Sequence, residues 1–121
     1  MFVFVEEKAP FWWDVEVPVI SGNGVARNHK LKMKFRRMDR EQLIELSERA
    51  QQRDGDPIEN DVEYVLDVAE DWQVKTEKGE PLAFTRDNIR MFIKGVPTFM
   101  LALYKTWNQI NILGGVKEKN L

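Results

Sequence analysis

Between residues 28 and 38 the chain reads NHKLKMKFRRM, with Leu31, Met33 and Phe35 alternating with Lys30, Lys32, Lys34 and Arg36. A period of two predicts a strand with one apolar face and one basic face. Upstream, FWWDVEVPVI at 11–20 alternates in the same way: Trp13, Val15, Val17 and Val19 against Trp12, Asp14, Glu16 and Pro18. Pro18 marks a sheet edge or a bulge. Between the two runs, SGNG at 21–24 is a hairpin turn. Both strands keep their apolar residues at odd positions, so odd must face odd across the pair. A three-residue loop, Gly22-Asn23-Gly24, achieves this if Gly24 adopts the left-handed conformation; a two-residue loop would set apolar against polar. The resulting register places Glu16 opposite Lys30, Asp14 opposite Lys32 and Trp12 opposite Lys34. Opposite charges paired in this way contribute about 0.2–1 kcal/mol each, and Lys34 is placed for a cation–π contact with Trp12. A shorter apolar run, FVFV at 2–5, is long enough for a third strand.

Beyond Met38 the period lengthens. DREQLIELSERAQQR opens with Asp39 as N-cap and Gln42 three residues on, a capping box, and carries a partial apolar face of Leu43, Ile44, Leu46 and Ala50. DG at 54–55 ends it. DPIENDVEYVLDVAEDW starts again, with Asp56 as N-cap, Pro57 at the first helical position and Glu59 completing a second box. Ile58, Val62, Val65, Leu66, Ala69 and Trp72 form a helical stripe, so this helix is expected to run through Trp72. EKGEP at 77–81 is a turn. Thr85 caps a short helix over 85–94, which Gly95 stops. Pro97 opens a last helix over 97–113, closed by Gly114-Gly115. Strands first and helices afterwards define an α+β fold: an N-terminal antiparallel β-hairpin or three-stranded sheet packed on about four C-terminal helices. The 121 residues suit a single domain, with strands in 1–38, helices in 39–113 and a polar tail over 114–121.

Composition narrows the chemistry. There is no cysteine, which excludes disulfides, thiolate metal sites and a cysteine nucleophile, and the single histidine, His29, excludes multi-histidine metal sites. No apolar run is long enough to span a bilayer. Met1–Val5 is apolar but runs directly into Glu6 and Glu7, without a basic start or a cleavage pattern, so the expected location is the cytoplasm. The net charge of −2 is unevenly spread. Residues 1–38 carry seven basic and four acidic side chains, residues 39–81 five and fourteen, and residues 82–121 six and two. A basic strand and an acidic middle can neutralise each other, within one chain or between copies.

The acidic group Asp54, Asp56, Glu59 and Asp61 lacks the spacing of a calcium loop, and helix capping accounts for it. Glu63, Asp67, Glu70 and Asp71 share the polar side of the second helix, where carboxylates can do acid–base work but more often face water. No nucleophile triad, phosphate loop or dinucleotide fingerprint is present. The expectation is a non-enzyme with no catalytic residue, cofactor or metal. The basic strand over 30–37, beside Trp12 and Trp13, gives the alternative reading, a nucleic-acid-binding protein. The negative net charge and the facing Asp14 and Glu16 weigh against it. The last helix is the most apolar segment: Phe99, Met100, Leu103, Tyr104, Trp107 and Ile110 form one stripe, and Leu101, Ala102 and Ile112 widen it. It is either the core side of a buried helix or a helix with a second apolar surface for a partner. On the second reading, the candidate partner-binding residues are Leu101, Tyr104, Trp107, Ile112 and Leu113.

The run DWQVKTEKGEPLAFTRDNIRMFIKGVPTFMLALYKTW at 71–107 resembles the tail assembly chaperones of long-tailed bacteriophages and prophages. The likeness lies in Trp72, Val74, Gly79, Pro81, Phe84, Thr85, Ile89, Pro97 and Tyr104, and FRRMDREQLIEL at 35–46 is similar to the earlier half of that family. The resemblance implies a role rather than a reaction. Such proteins bind the long, aggregation-prone tape measure protein in the bacterial host cytoplasm while the tail tube is built around it. Many also exist as a longer, frameshifted form that recruits tail tube subunits. The implied partners are therefore the tape measure protein and the tail tube protein, with a homo-oligomer as a further expectation and no membrane.

Overall fold

The computed structural model describes residues 1–112. The sequence reads out as strand β1 (Phe11–Ile20), strand β2 (Ala26–Phe35), helix α1 (Arg40–Gln52), helix α2 (Pro57–Val68), strand β3 (Ala69–Gln73), helix α3 (Arg86–Gly95) and helix α4 (Phe99–Ile112). The expected stop of the last helix at Gly114-Gly115 and the polar tail over 114–121 lie outside the described residues.

The hairpin forms in the expected register, with Glu16 opposite Lys30, Asp14 opposite Lys32 and Trp12 opposite Lys34. The Ser21 amide donates to the Val25 carbonyl and the Gly24 amide to the Ser21 carbonyl, each at 2.9 Å. Gly24 takes φ +82°, the left-handed conformation that a side chain would resist. The odd face carries Val15, Val17, Leu31, Met33 and Phe35, all buried.

The sheet has three antiparallel strands in the order β1-β2-β3, but the third strand comes from Ala69–Gln73, not from residues 2–5. Phe2 to Val5 are exposed and pair with nothing among the described residues. The expected extension of α2 to Trp72 is likewise replaced: the helix stops at Val68, and Ala69 and Trp72 are strand residues. A bulge explains why the two readings coincide. Lys34 pairs with Asp71 but Phe35 pairs with Ala69, so Glu70 is an extra residue in β3. The bulge breaks the period of two and puts the buried residues, Ala69 and Trp72, three apart. That is the spacing of one helical turn.

Capping follows the sequence closely. Asp39 and Gln42 form the reciprocal capping box, at 2.8 and 3.0 Å. Asp56 caps α2 by accepting from the Ile58 amide at 2.9 Å, while Glu59 turns away to Arg90. Thr85 caps α3 through the Asn88 amide. The core lies between the odd face of the sheet and the helices. Phe35 meets Trp107 of α4 at 5.8 Å between ring centroids, and Trp72 meets Phe92 of α3 at 5.2 Å. The Trp72 indole N–H is satisfied by the Leu82 carbonyl at 2.7 Å.

The acidic side of α2 is not simply solvated. Glu59 accepts two hydrogen bonds from Arg90, at 2.5 and 2.7 Å, and Glu63 pairs with Arg86, so α3 is fastened to α2. Asp67 holds Arg53 at 2.5 Å and Arg49 at 3.5 Å, fastening α1. Glu70, at the bulge, lies 3.5 Å from Lys34 and 3.6 Å from Arg36. The basic stripe of β2 is thus met by β3, and Lys34 turns to Glu70 rather than to Trp12. The cation–π contact that does form places Arg37 over the Phe11 ring at 4.7 Å.

Candidate partner-docking surface

Helix α1 carries more apolar surface than the core uses. Leu46 is buried, Leu43 and Ala50 are half-buried, and Ile44 is exposed. Across from it runs the C-terminal half of α4. Between the two helices lies an open groove of about 530 Å³, lined by Leu43, Ile44, Leu46, Ala50, Tyr64, Trp107 and Ile112, with Ser47, Gln51, Asn108 and Asn111 along its polar edges and Arg40 also lining it.

The five residues expected to bind a partner separate into distinct environments. Trp107 is buried, yet its side chain helps line the groove. Ile112 is 75% exposed and also lines it. Tyr104 lies on the exposed side of α4, with its ring 4.7 Å from that of Tyr64 and its hydroxyl donating to Asp61 at 3.2 Å. Leu101, also 75% exposed, belongs to a second recess of about 280 Å³ against Pro18 and Asn28 of the hairpin. Leu113 lies outside the described residues. The groove therefore unites Trp107 and Ile112 but not Leu101. Its other half, Leu43, Ile44, Ala50 and Tyr64, was not picked out as a site from the sequence. The available signal was the surplus on α1: four apolar positions for a helix that fully buries one.

The tyrosines at the groove, Tyr64 and the neighbouring Tyr104, are uncharged. Burial pushes the Tyr64 hydroxyl well above its ordinary value of 10, helped by neighbouring Tyr104 and Asp67. Burial also raises Tyr104, with Asp61 adding to the effect. Both phenols stay neutral at physiological pH, and a neutral aromatic wall suits an apolar surface better than a charged one. Asp61 is itself raised by burial, partly offset by the Tyr104 hydrogen bond.

Among the described residues no cluster of acids or histidine could hold a metal ion, and no helix is long and apolar enough to cross a membrane. What the chain builds is a small α+β protein whose main surface feature is an apolar groove between two helices. It belongs to the phage tail assembly chaperone family, whose model matches residues 1–120, essentially the whole chain. No match was found among curated proteins or solved structures. Membership of this family indicates a part in tail assembly, in contact with tail proteins, and a non-enzymatic role.

Proposed function

We propose that this chain binds the tape measure protein in the bacterial host cytoplasm, keeps it soluble and helps to recruit tail tube subunits, without catalysis. The observation that carries this reading is the α1–α4 groove. Its apolar lining of Leu43, Ile44, Leu46, Ala50, Trp107 and Ile112 suits the face of an amphipathic helix, which presents anchors at i, i+3 and i+7. A long, aggregation-prone helical protein offers such faces repeatedly. Leu101 and Tyr104 are further exposed apolar positions on α4, outside the groove. The carboxylates of α2 that an enzyme would need are engaged by arginines of α1 and α3, which supports binding over chemistry. The engagement of Lys34 and Arg36 by Glu70 leaves less of the basic strand for a phosphate backbone.

The test is co-expression with the tape measure protein, followed by pull-down from the soluble fraction. The tape measure protein should be insoluble alone and co-purify with this chain. Ile44→Asp and Ile112→Asp, at exposed groove positions, should return it to the pellet while leaving the variant's own unfolding curve unchanged. Full retention of binding by the double variant would place the tape measure protein elsewhere on the surface.

A further inference from the structure

We infer that the Met1–Val5 segment of one copy adds as a strand to the open edge of β1 in a second copy. The inference stands on the sheet, not on the groove, and does not depend on which tail protein is bound.

The donor is plain in the sequence and the structure. Phe2, Val3, Phe4 and Val5 are all apolar and β-prone, and they are 66–90% exposed. A run of this kind left in water seeks an edge.

The acceptor follows from hydrogen-bond parity. Ser21 and Val25 are a hydrogen-bonded pair. Alternation along the hairpin then makes 19/27, 17/29, 15/31 and 13/33 the bonded pairs, and 12/34, 14/32 and 16/30 the non-bonded ones. The N–H and C=O of Trp12, Asp14 and Glu16 therefore point outward, away from β2. Past Glu16 the edge is closed: Pro18 has no N–H, and its carbonyl accepts from the Thr98 hydroxyl at 2.6 Å. On the far side of the sheet the chain returns just past the end of β3, with the Leu82 amide donating to the Val74 carbonyl at 2.8 Å. The open stretch is thus 12–16, the same length as the donor.

The side chains also match. An added strand would have one face toward Trp12, which is 40% exposed, and the other toward the half-buried Phe11 and Trp13. Residues 1–5 are apolar on both faces and so match Trp12 on one side and Phe11 and Trp13 on the other, with Asp14 and Glu16 further along the Trp12 side.

The geometry at residues 6–11 directs the segment to another copy. The Arg37 Nε donates to the Ala9 carbonyl at 2.9 Å, and its guanidinium covers the Phe11 ring. Glu6, Glu7 and Lys8 then lie beside Arg37, Asp39 and Gln42, at the start of α1. The chain leaves β1 on the β2 side, opposite the open edge, and folding back would undo these contacts. Each copy offers one donor and one acceptor, so the contact can close as a pair or propagate head to tail.

The native chain contains no cysteine, which makes disulfide trapping clean. Full-length Val3→Cys and full-length Asp14→Cys would be mixed and oxidised, with Phe2→Cys and Phe4→Cys as register controls. A mixed-chain disulfide dimer is expected with at least one donor position. Sedimentation of the cysteine-free chain should show concentration-dependent association, weakened at least tenfold by Val3→Pro or by Phe4→Pro, changes at exposed positions of opposite parity, one of which removes a ladder N–H whichever register forms. Failure of all three donor positions to cross-link would overturn the inference. So would an internal disulfide in a monomeric Val3→Cys, Asp14→Cys double variant, or association indifferent to both Val3→Pro and Phe4→Pro.

Discussion

Asp67 is the residue through which α1 is held, and its removal is the sharpest test of how the groove is built. Helix α1 buries only Leu46, so its position depends heavily on polar contacts. Asp67 accepts from Arg53 at 2.5 Å and lies 3.5 Å from Arg49. The Asp67 and Arg53 side chains are 19% and 15% exposed, whereas Arg49 is 50% exposed. The Arg49 contact is worth little, because water screens it. The Arg53 contact is mostly removed from water, and a hydrogen bond between charged groups contributes about 1.5–3 kcal/mol net. Breaking a fully buried pair costs about 3–5 kcal/mol. Arg53 retains some access to solvent, so Asp67→Asn should cost about 2 kcal/mol. At ~4 °C per kcal/mol for a chain of this size, Tm should fall by about 8 °C.

The assay is urea unfolding of Asp67→Asn, Arg53→Met and the double variant. The cycle should give a coupling of about 1–2 kcal/mol. Hydrogen exchange should show amides of Leu43 to Ala50 opening before those of α2 and α4, because α1 is the element released. A loss under about 0.5 kcal/mol, or a loss of the same size when Arg53 is already Met, would refute the reasoning and leave Leu46 as the only anchor.

Lys32→Glu puts a carboxylate opposite Asp14 and should destabilise the hairpin by about 0.2–1 kcal/mol, read as a lower urea midpoint; an unchanged or higher midpoint would mean that the cross-strand charge pair contributes nothing. Glu59 gives a pH signature: its hydrogen bonds from Arg90 hold the carboxyl below its ordinary value of 4.5. The folded state therefore binds this proton less readily than the unfolded state, so the contribution is present above pH ~4.5 and is lost as the pH falls through the lower folded value. Urea midpoints at pH 6 and pH 3 should differ less in Glu59→Gln than in the native chain.

The hairpin was legible because its information is local. Alternation, the Gly-Asn-Gly loop and the side-chain charges all favour one register, and the structure has that register. The caps at Asp39, Asp56 and Thr85 were legible for the same reason, since each lies within three residues of the amide it satisfies. The third strand was not. Ala69–Gln73 follows a helix directly, and the bulge at Glu70 gives it helical spacing, so only the non-local pairing with β2 distinguishes the two states. The apolar run at 2–5 showed the reverse: a strand pattern whose partner edge its own chain does not supply. The groove was half legible. Trp107 and Ile112 stood out on the most apolar helix, but the facing wall comes from α1 and Tyr64, and no periodicity within one helix reveals what another helix leaves uncovered.

The uneven charge of the chain finds its explanation inside the fold. Glu59, Glu63, Asp67 and Glu70 lie along α2 and its continuation into β3, and each is met by a basic residue from elsewhere in the fold: Arg90 and Arg86 of α3, Arg53 at the end of α1, and Lys34 and Arg36 in or just after β2. The acidic middle is therefore a spine to which the basic flanks are fastened. An interface between copies that relied on the same opposite charges would first have to break these pairs and would regain only equivalent ones, so it offers little net gain. The contacts still open to a second copy are of another kind: backbone groups on the edge of β1 and apolar side chains on either side of it. The basic face of β2 is accounted for in the same way. Its apolar side builds the core, its end is tied to Glu70 at the bulge, and its middle faces Asp14 and Glu16 across the hairpin. Of the stripe itself, Lys34 is tied to Glu70, with Arg36 beside it, while Lys30 and Lys32 stay exposed opposite Glu16 and Asp14.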